Sequence, residues 1–238
     1  MHIFYCPHIV SKDAYLSPEE SAHCIRVLRL VKGDKVQLID GQGGIYDATI
    51  TLPDAKQCRL EISSIINHHK GRKFSLHIAI APTKNIDRFE WFIEKAVEIG
   101  IDMITPLLCQ RSERRTLKTD RLHKLIISTM KQAMVPYLPM LNELTDYRKF
   151  IDSITGSPYN RLIAHCDESD RKRLQDVLAL HSNVIVLIGP EGDFTPGEID
   201  QAISHNFIPV SLGTNRLRTE TAGIVACNTV NLLNDIMI

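Results

Sequence analysis

Residues 184–194 read V-I-V-L-I-G-P-E-G-D-F. The run Val184 to Gly189 is apolar throughout and has the length of a strand, and no apolar run of the chain approaches the roughly 18–20 residues that span a bilayer. It ends where two glycines bracket a rigid Pro190-Glu191, so backbone N–H and C=O groups can line a tight bend. Ligands of open α/β sheets bind at that carboxyl edge of the strands. A Gly-Pro turn after a strand can equally do no more than reverse the chain. The spacing matches neither G-x-G-x-x-G nor G-x-x-x-x-G-K-[ST], which disfavours dinucleotide and triphosphate sites.

Working outward, four further strand candidates share the rhythm: SLHIAIA (75–81), MITPLL (103–108), RLIAHC (161–166) and IPVSLG (208–213). Helical patterns lie between them. Phe89, Ile93, Ala96, Val97 and Gly100 follow the helical period, while Glu90, Glu94 and Glu98 face away. In Thr195-Pro196-Gly197-Glu198 the threonine can cap a helix, the proline fits its first position and the glutamate completes a capping box. Strands alternating with helices predict a parallel α/β sheet. Residues 1–72 differ: VQLID, GQGG, IYDATITL and CRLEISSII at 36–66 read as a small antiparallel sheet or barrel. One helix-like segment, Pro18 to Leu30, interrupts it, with Ser17 as N-cap and Glu20 as capping-box partner. The expected division is therefore 1–72 and 73–238, with 67–73 as linker or exposed loop.

Twenty-eight Lys+Arg balance twenty-eight Asp+Glu, which argues against a chain that is basic all over and drawn non-specifically onto phosphate. The neutrality is an average. Residues 111–131 carry seven basic side chains against two acidic ones; Arg26, Arg29, Lys32 and Lys35 form a second group, and Lys70, Arg72 and Lys73 a third. Taken singly, each group reads as a solvated face. The N-terminus lacks the pattern of a signal peptide. The six cysteines are scattered, without C-x-x-C or a Cys/His cluster, so neither a zinc site nor a disulfide framework is expected, and a cytoplasmic location is. Trp91, the only tryptophan, reads as a packing or interface residue, and Phe89 and Phe92 as core.

A second segment, S-L-G-T-N-R-L-R-T-E-T-A-G at 211–223, concentrates Arg216, Arg218, Thr219, Glu220 and Thr221 before the last helix. Guanidinium groups beside the free N–H donors of a helix start could grip an oxyanion or phosphate; a capped helix entrance with solvated arginines is the other reading. Together, IGPEGDF followed by LGTNRLRTETA resembles the SPOUT methyltransferases, most closely the 16S ribosomal RNA uridine-N3 methyltransferases. The resemblance extends to AHCIRVLRLVKGDKVQLIDGQGGIY, similar to that family's PUA-like RNA-binding domain, and to Lys84, Arg88, EKAVEIG, Pro106 and Arg111-Ser112. Two departures stand out: Asp193 replaces the second glycine of GPEGG, and Met130 to Met134 keeps Gln132 but lacks the arginine of the Glu-Gln-Ser-x-Arg stretch found in relatives.

The strand rhythm alone leads to an unknotted doubly wound sheet. The resemblance instead implies a SPOUT-type parallel sheet with a C-terminal trefoil knot, plus a small N-terminal PUA-like β-barrel. It implies an S-adenosylmethionine site built from 163–167, Gly189 to Gly192 and Leu212 to Thr219, naming Ile163, Ala164, His165, Gly189, Pro190, Glu191, Gly192, Leu212, Gly213, Leu217, Arg218 and Thr219. It implies no metal, a homodimer, and methylation of a uridine N3 in 16S rRNA. Arg218 is the candidate for stabilising the uracil anion, and Glu220 is either a base or a partner of the helix dipole. His165 and Asp167 close the third strand, a position where histidine is more often structural. In an RNA-modifying chain the basic groups become a phosphate-tracking surface, with Arg26, Arg29, Lys84, Arg88, Arg111 and Arg115 as contacts. The alternatives are a SPOUT enzyme acting on another RNA atom, such as a ribose 2′-hydroxyl, and a non-catalytic RNA-binding assembly factor, against which the intact LRTETA argues.

Overall fold

The computed structural model describes residues 1–68, 71–154, 156–166 and 171–235. The chain forms two compact units, Met1–Gly71 with Ile127–Leu138, and Arg72–Ile126 with Pro139–Ile238.

In the first unit, β1 (Ile3–Tyr5), β2 (Ile9–Val10), β3 (Asp13–Tyr15), β4 (Lys35–Ile39), β5 (Gly44–Leu52) and β6 (Arg59–His68) pair in the order β1-β4-β5-β6-β3-β2. The antiparallel expectation needs one correction: β1 and β4 are parallel. The connection between them carries two strands and a helix, enough for the crossover that a parallel pair requires. Three register shifts bend the β5–β6 ribbon, and β1 and β2 are not paired with each other among the described residues, so the barrel is partly open. Phe4, Leu16, Val36, Leu38, Ile50 and Leu60 fill its core. Asp40 organises the glycine turn, its carboxylate accepting from Gln42 N at 2.7 Å, Gly44 N at 2.9 Å and the Tyr46 hydroxyl at 2.9 Å.

The helix expected over 18–30 is shorter: α1 (Pro18–Ala22) runs into a π-helical stretch, His23–Val27. Ser17 caps it by accepting from Glu20 N, as expected. The Glu20 carboxylate, expected to close the capping box, instead takes the Lys131 ammonium at 2.5 Å. That ion pair and two backbone bonds, Gly43 N to Pro136 O and Leu138 N to Gly41 O, tie residues 127–138 into the first unit.

In the second unit all five expected strands are present, as β7 (Leu76–Ile80), β8 (Met103–Leu108), β11 (Asn160–Ala164), β13 (Val184–Ile188) and β14 (Ile208–Ser211). Three two-residue strands accompany them: β9 (Met140–Leu141), β10 (Thr145–Asp146) and β12 (Lys172–Arg173). The order is β10-β8-β7-β13-β11-β14-β12, with β9 also on β8, and every pairing is parallel. β7 and β13 are buried along their whole length.

The helices are α2 (Ile86–Ile99), α3 (Thr119–Ala133), α4 (Tyr147–Ser153), α5 (Leu174–Val177), α6 (Pro196–Ser204) and α7 (Thr219–Asp235); residues of α3 from Ile127 onward belong to the first unit. Asn85 caps α2 and Gly100 ends it in the left-handed region at φ 115°. Thr195 and Glu198 form the expected capping box on α6. The basic group at 70–73 divides: Lys70 lies outside the described residues, and Arg72 is occupied, its guanidinium donating to Gly100 O, Asn231 Oδ1 and Asp102 Oδ2.

Candidate active site

Because β13, β11 and β14 are parallel neighbours, their carboxyl ends lie at one edge of the sheet, and the described residues of the loops that follow them meet there. With the start of α7 and with Arg88 from α2, these loops enclose a cavity of about 310 Å³, within the size range of small-molecule sites. Ten of the twelve expected cofactor residues line it: Ala164, His165, Gly189, Pro190, Glu191, Leu212, Gly213, Leu217, Arg218 and Thr219. Ile163 does not, because its side chain is fully buried in the core beneath the sheet. Gly192 does not either; its carbonyl accepts from the Arg111 guanidinium at 2.8 Å. Asp167 lies outside the described residues.

Each wall has a local cause. Glycine at 189 gives the turn room, because a Cβ there would stand a tight 3.1 Å from both the backbone and the ring of Phe194, which is buried and packs against Tyr147. The turn closes through Asp193 N donating to Pro190 O at 2.9 Å. Asp193, the departure from GPEGG, takes a left-handed φ of 62°, a conformation that aspartate tolerates better than most residues. Its carboxylate accepts from Phe194 N at 2.8 Å and, across the cavity, from Cys166 N at 2.7 Å. The Glu191 carboxylate accepts from Lys84 N at 2.8 Å, and the Arg171 guanidinium donates to His165 O. Sequence reasoning missed Asp193 and Arg171 as wall residues; for Asp193 the signal was present, since a glycine position in a tight turn calls for positive φ.

The polar end of the cavity is made by Arg88, Arg216 and Arg218, all exposed. Arg216 and Arg218 form no ion pair among the described residues. Glu220, in the first turn of α7, is buried; its Oε1 lies 3.9 Å from Arg88 Nε, and its Oε2 accepts no hydrogen bond among the described residues. Across Arg88, Arg216, Leu217 and Arg218 lies a second cavity of about 620 Å³, whose other walls are Asp87, Trp91, Glu220 and Thr221.

Of the expected RNA contacts, Arg88 reaches the site. The Lys84 ammonium pairs with Glu113 at 2.8 Å. Arg111 is committed to the carbonyls of Gly192 and Phe194, and so buttresses the cofactor loop. Arg115 is exposed in the second unit, and Arg26 and Arg29 are exposed in the first, Arg29 with a φ of 56°. Among the described residues no group of side chains could hold a metal, and no helix is long and apolar enough to cross a membrane.

A parallel α/β sheet whose strand-end loops form a cavity rimmed with arginine, in a chain that also carries a small β unit, defines a modular α/β protein with a ligand site at its strand ends. Residues 70–231 match the family model of the RNA methyltransferase domain and residues 16–63 that of the RNA methyltransferase PUA domain; the chain belongs to the RNA methyltransferase family. It is 27% identical over 231 residues, covering 94% of this chain and 75% of the other, to the ribosomal RNA small subunit methyltransferase E of Synechocystis sp.. The crystal structure of a "probable rRNA-methyltransferase" from Porphyromonas gingivalis superposes with a TM-score of 0.89 at 39% identity, covering 100% of both chains. The ribosomal RNA small subunit methyltransferase E of Neisseria gonorrhoeae, bound to S-adenosyl methionine, superposes with a TM-score of 0.86 at 26% identity, covering 98% of both. The resemblance read from the two glycine- and arginine-bearing segments is thereby borne out.

Proposed function

We propose that this chain methylates N3 of a uridine in the 16S rRNA of the small ribosomal subunit, using S-adenosylmethionine held in the strand-end cavity. The observation that carries this reading is the convergence of the three expected stretches on one cavity whose polar end is arginine. The residues fit the cofactor: Ile188, Val210, Leu212 and Leu217 offer apolar walls for a purine, and strand-end backbone groups offer donors and acceptors for its polar edges. When bound, S-adenosylmethionine supplies an activated methyl group for in-line transfer to the uracil nitrogen.

The chain's own residues position and stabilise. A uracil N3–H is a poor nucleophile until its proton is lost. The Arg218 guanidinium, at the head of α7 and in no ion pair among the described residues, stabilises the resulting uracil anion through charge-assisted hydrogen bonds. Glu220, two residues further on in the first turn of α7, lines the neighbouring cavity with Arg218 and accepts the proton. The PUA-like domain, residues 1–72, and the exposed arginines, Arg26, Arg29 and Arg115 among them, track phosphate, while Lys84 and Arg111 shape the rim. The chain works in the cytoplasm as a homodimer, with its C-terminal loops forming a trefoil knot. Nucleoside analysis of rRNA from a deletion strain tests the assignment: 3-methyluridine disappears, whereas loss of a 2′-O-methyl nucleoside instead would select the ribose-directed alternative.

A further inference from the structure

We propose that the cavity of about 620 Å³ beside the cofactor site is the seat of the target nucleobase, and that the indole of Trp91 is its stacking face. This rests on the methyltransferase reading above and assigns its base-binding site. The buried stripe of α2 is Phe89, Phe92, Ile93, Ala96 and Val97. Trp91 stands off that stripe, 44% exposed, so of the two expected roles, packing or interface, it does not fill the first within the chain. Among the described residues no aromatic ring or guanidinium is stacked on it. An indole left open to solvent is a large apolar face with a π-surface available.

Its surroundings select the occupant. The cavity shares Arg88, Arg216, Leu217 and Arg218 with the cofactor cavity, so a flat group lying on Trp91 is next to the methyl donor. The guanidinium groups supply positive charge for the phosphates on either side of that group, and Thr221 and Glu220 supply polar partners for a base edge. An RNA base can reach a methyl donor only after leaving its own stack, and the lost stacking must be replaced inside the protein. An aromatic side chain does so, strengthening binding roughly five- to hundredfold per base.

The competing occupant is a second copy of this chain covering α2. One tryptophan makes the two separable, because tryptophan emission, excited at the red edge where the six tyrosines do not absorb, reports on this cavity alone. Protein-free 16S rRNA lacking the modification is titrated into the full-length wild-type protein. A base stacked on Trp91 quenches the emission saturably, at every protein concentration used. In steady-state transfer, Trp91→Ala then raises KM for RNA by roughly tenfold or more, with the dissociation constant of S-adenosylmethionine unchanged, and Trp91→Phe restores most of the loss. Emission that follows protein concentration and ignores RNA, together with a wild-type KM in Trp91→Ala, overturns the proposal and makes Trp91 an interface residue. If the wild-type chain itself transfers no methyl group to RNA, the underlying methyltransferase reading fails first, and the base site falls with it.

Discussion

The Asp193 carboxylate accepts a hydrogen bond from the backbone N–H of Cys166 at 2.7 Å, joining the loop after β13 to the loop after β11 across the cofactor cavity. Where the resemblance leads to an expectation of glycine, this chain has an aspartate that takes the left-handed conformation, at φ 62°, and adds a tie. Two consequences of one substitution can therefore be separated.

Asp193→Gly keeps the backbone conformation and removes the tie. Hydrogen bonds to charged groups contribute about 1.5–3 kcal/mol, and the lower end applies to a half-buried carboxylate. S-adenosylmethionine binding should weaken by roughly tenfold, with kcat at saturating cofactor unchanged. Asp193→Asn, which retains an acceptor oxygen and tolerates the same φ, should bind nearly as the wild type. Titration calorimetry reads both; equal affinity in all three chains would show that the tie is idle.

Arg218 lines both cavities and forms no ion pair among the described residues. Arg218→Ala should bind S-adenosylmethionine normally and lose methyl transfer by about 10²–10³-fold, the usual cost of one oxyanion-stabilising donor. Arg218→Lys should not restore it, because a point charge does not reproduce the planar fork. Transfer at the wild-type rate in Arg218→Ala would remove the residue from the chemistry.

Met134, the second departure from the family pattern, also sits at positive φ, 54°, directly after α3 ends. Val135 N donates back to Met130 O at 3.0 Å, the bond of a helix ending in a left-handed residue. A β-carbon in that conformation costs about 1 kcal/mol, and the Met134 side chain is 45% exposed. Met134→Gly should therefore raise Tm by about 2–4 °C. A lower Tm by calorimetry would mean that the methionine packs usefully after all.

His77 is buried between strands, its Nε2 2.7 Å from Thr105 Oγ1 and its ring edge-on to Phe150. Burial pushes its pKa down to about 4 from an ordinary value near 6.5. Between these values the unfolded chain holds a proton that the folded chain refuses. Stability is thus complete above pH of about 6.5 and falls as pH drops towards about 4, by up to about 3 kcal/mol. His77→Gln should remove that part of the slope in urea unfolding measured across the window. Parallel pH profiles for the two chains would contradict it.

The legible features of the sequence were those with a strong local cause. The strands at 184–189 and 75–81 were readable as apolar runs, α2 from its period, and the α6 start from Thr195, Pro196 and Glu198. Two-residue strands such as Met140–Leu141 and Lys172–Arg173 leave no periodic trace, because they exist only by pairing with a neighbour already in place. The attachment of residues 127–138 to the first unit depends on Lys131 meeting Glu20, 111 residues away, which no local pattern encodes. At the site, the two loops with glycine and arginine were visible as motifs. Arg88 and Trp91 share a wall with Arg218 because α2 and α7 pack together, so their proximity to the site is tertiary.

The most direct test incubates the purified chain with methyl-labelled S-adenosylmethionine and small ribosomal subunits from cells lacking the modification, then digests the RNA to nucleosides. The account predicts that label co-migrates with 3-methyluridine from 16S rRNA, and that Arg218→Ala abolishes it. Label in a 2′-O-methyl nucleoside, or no label in RNA while the cofactor still binds, would contradict it.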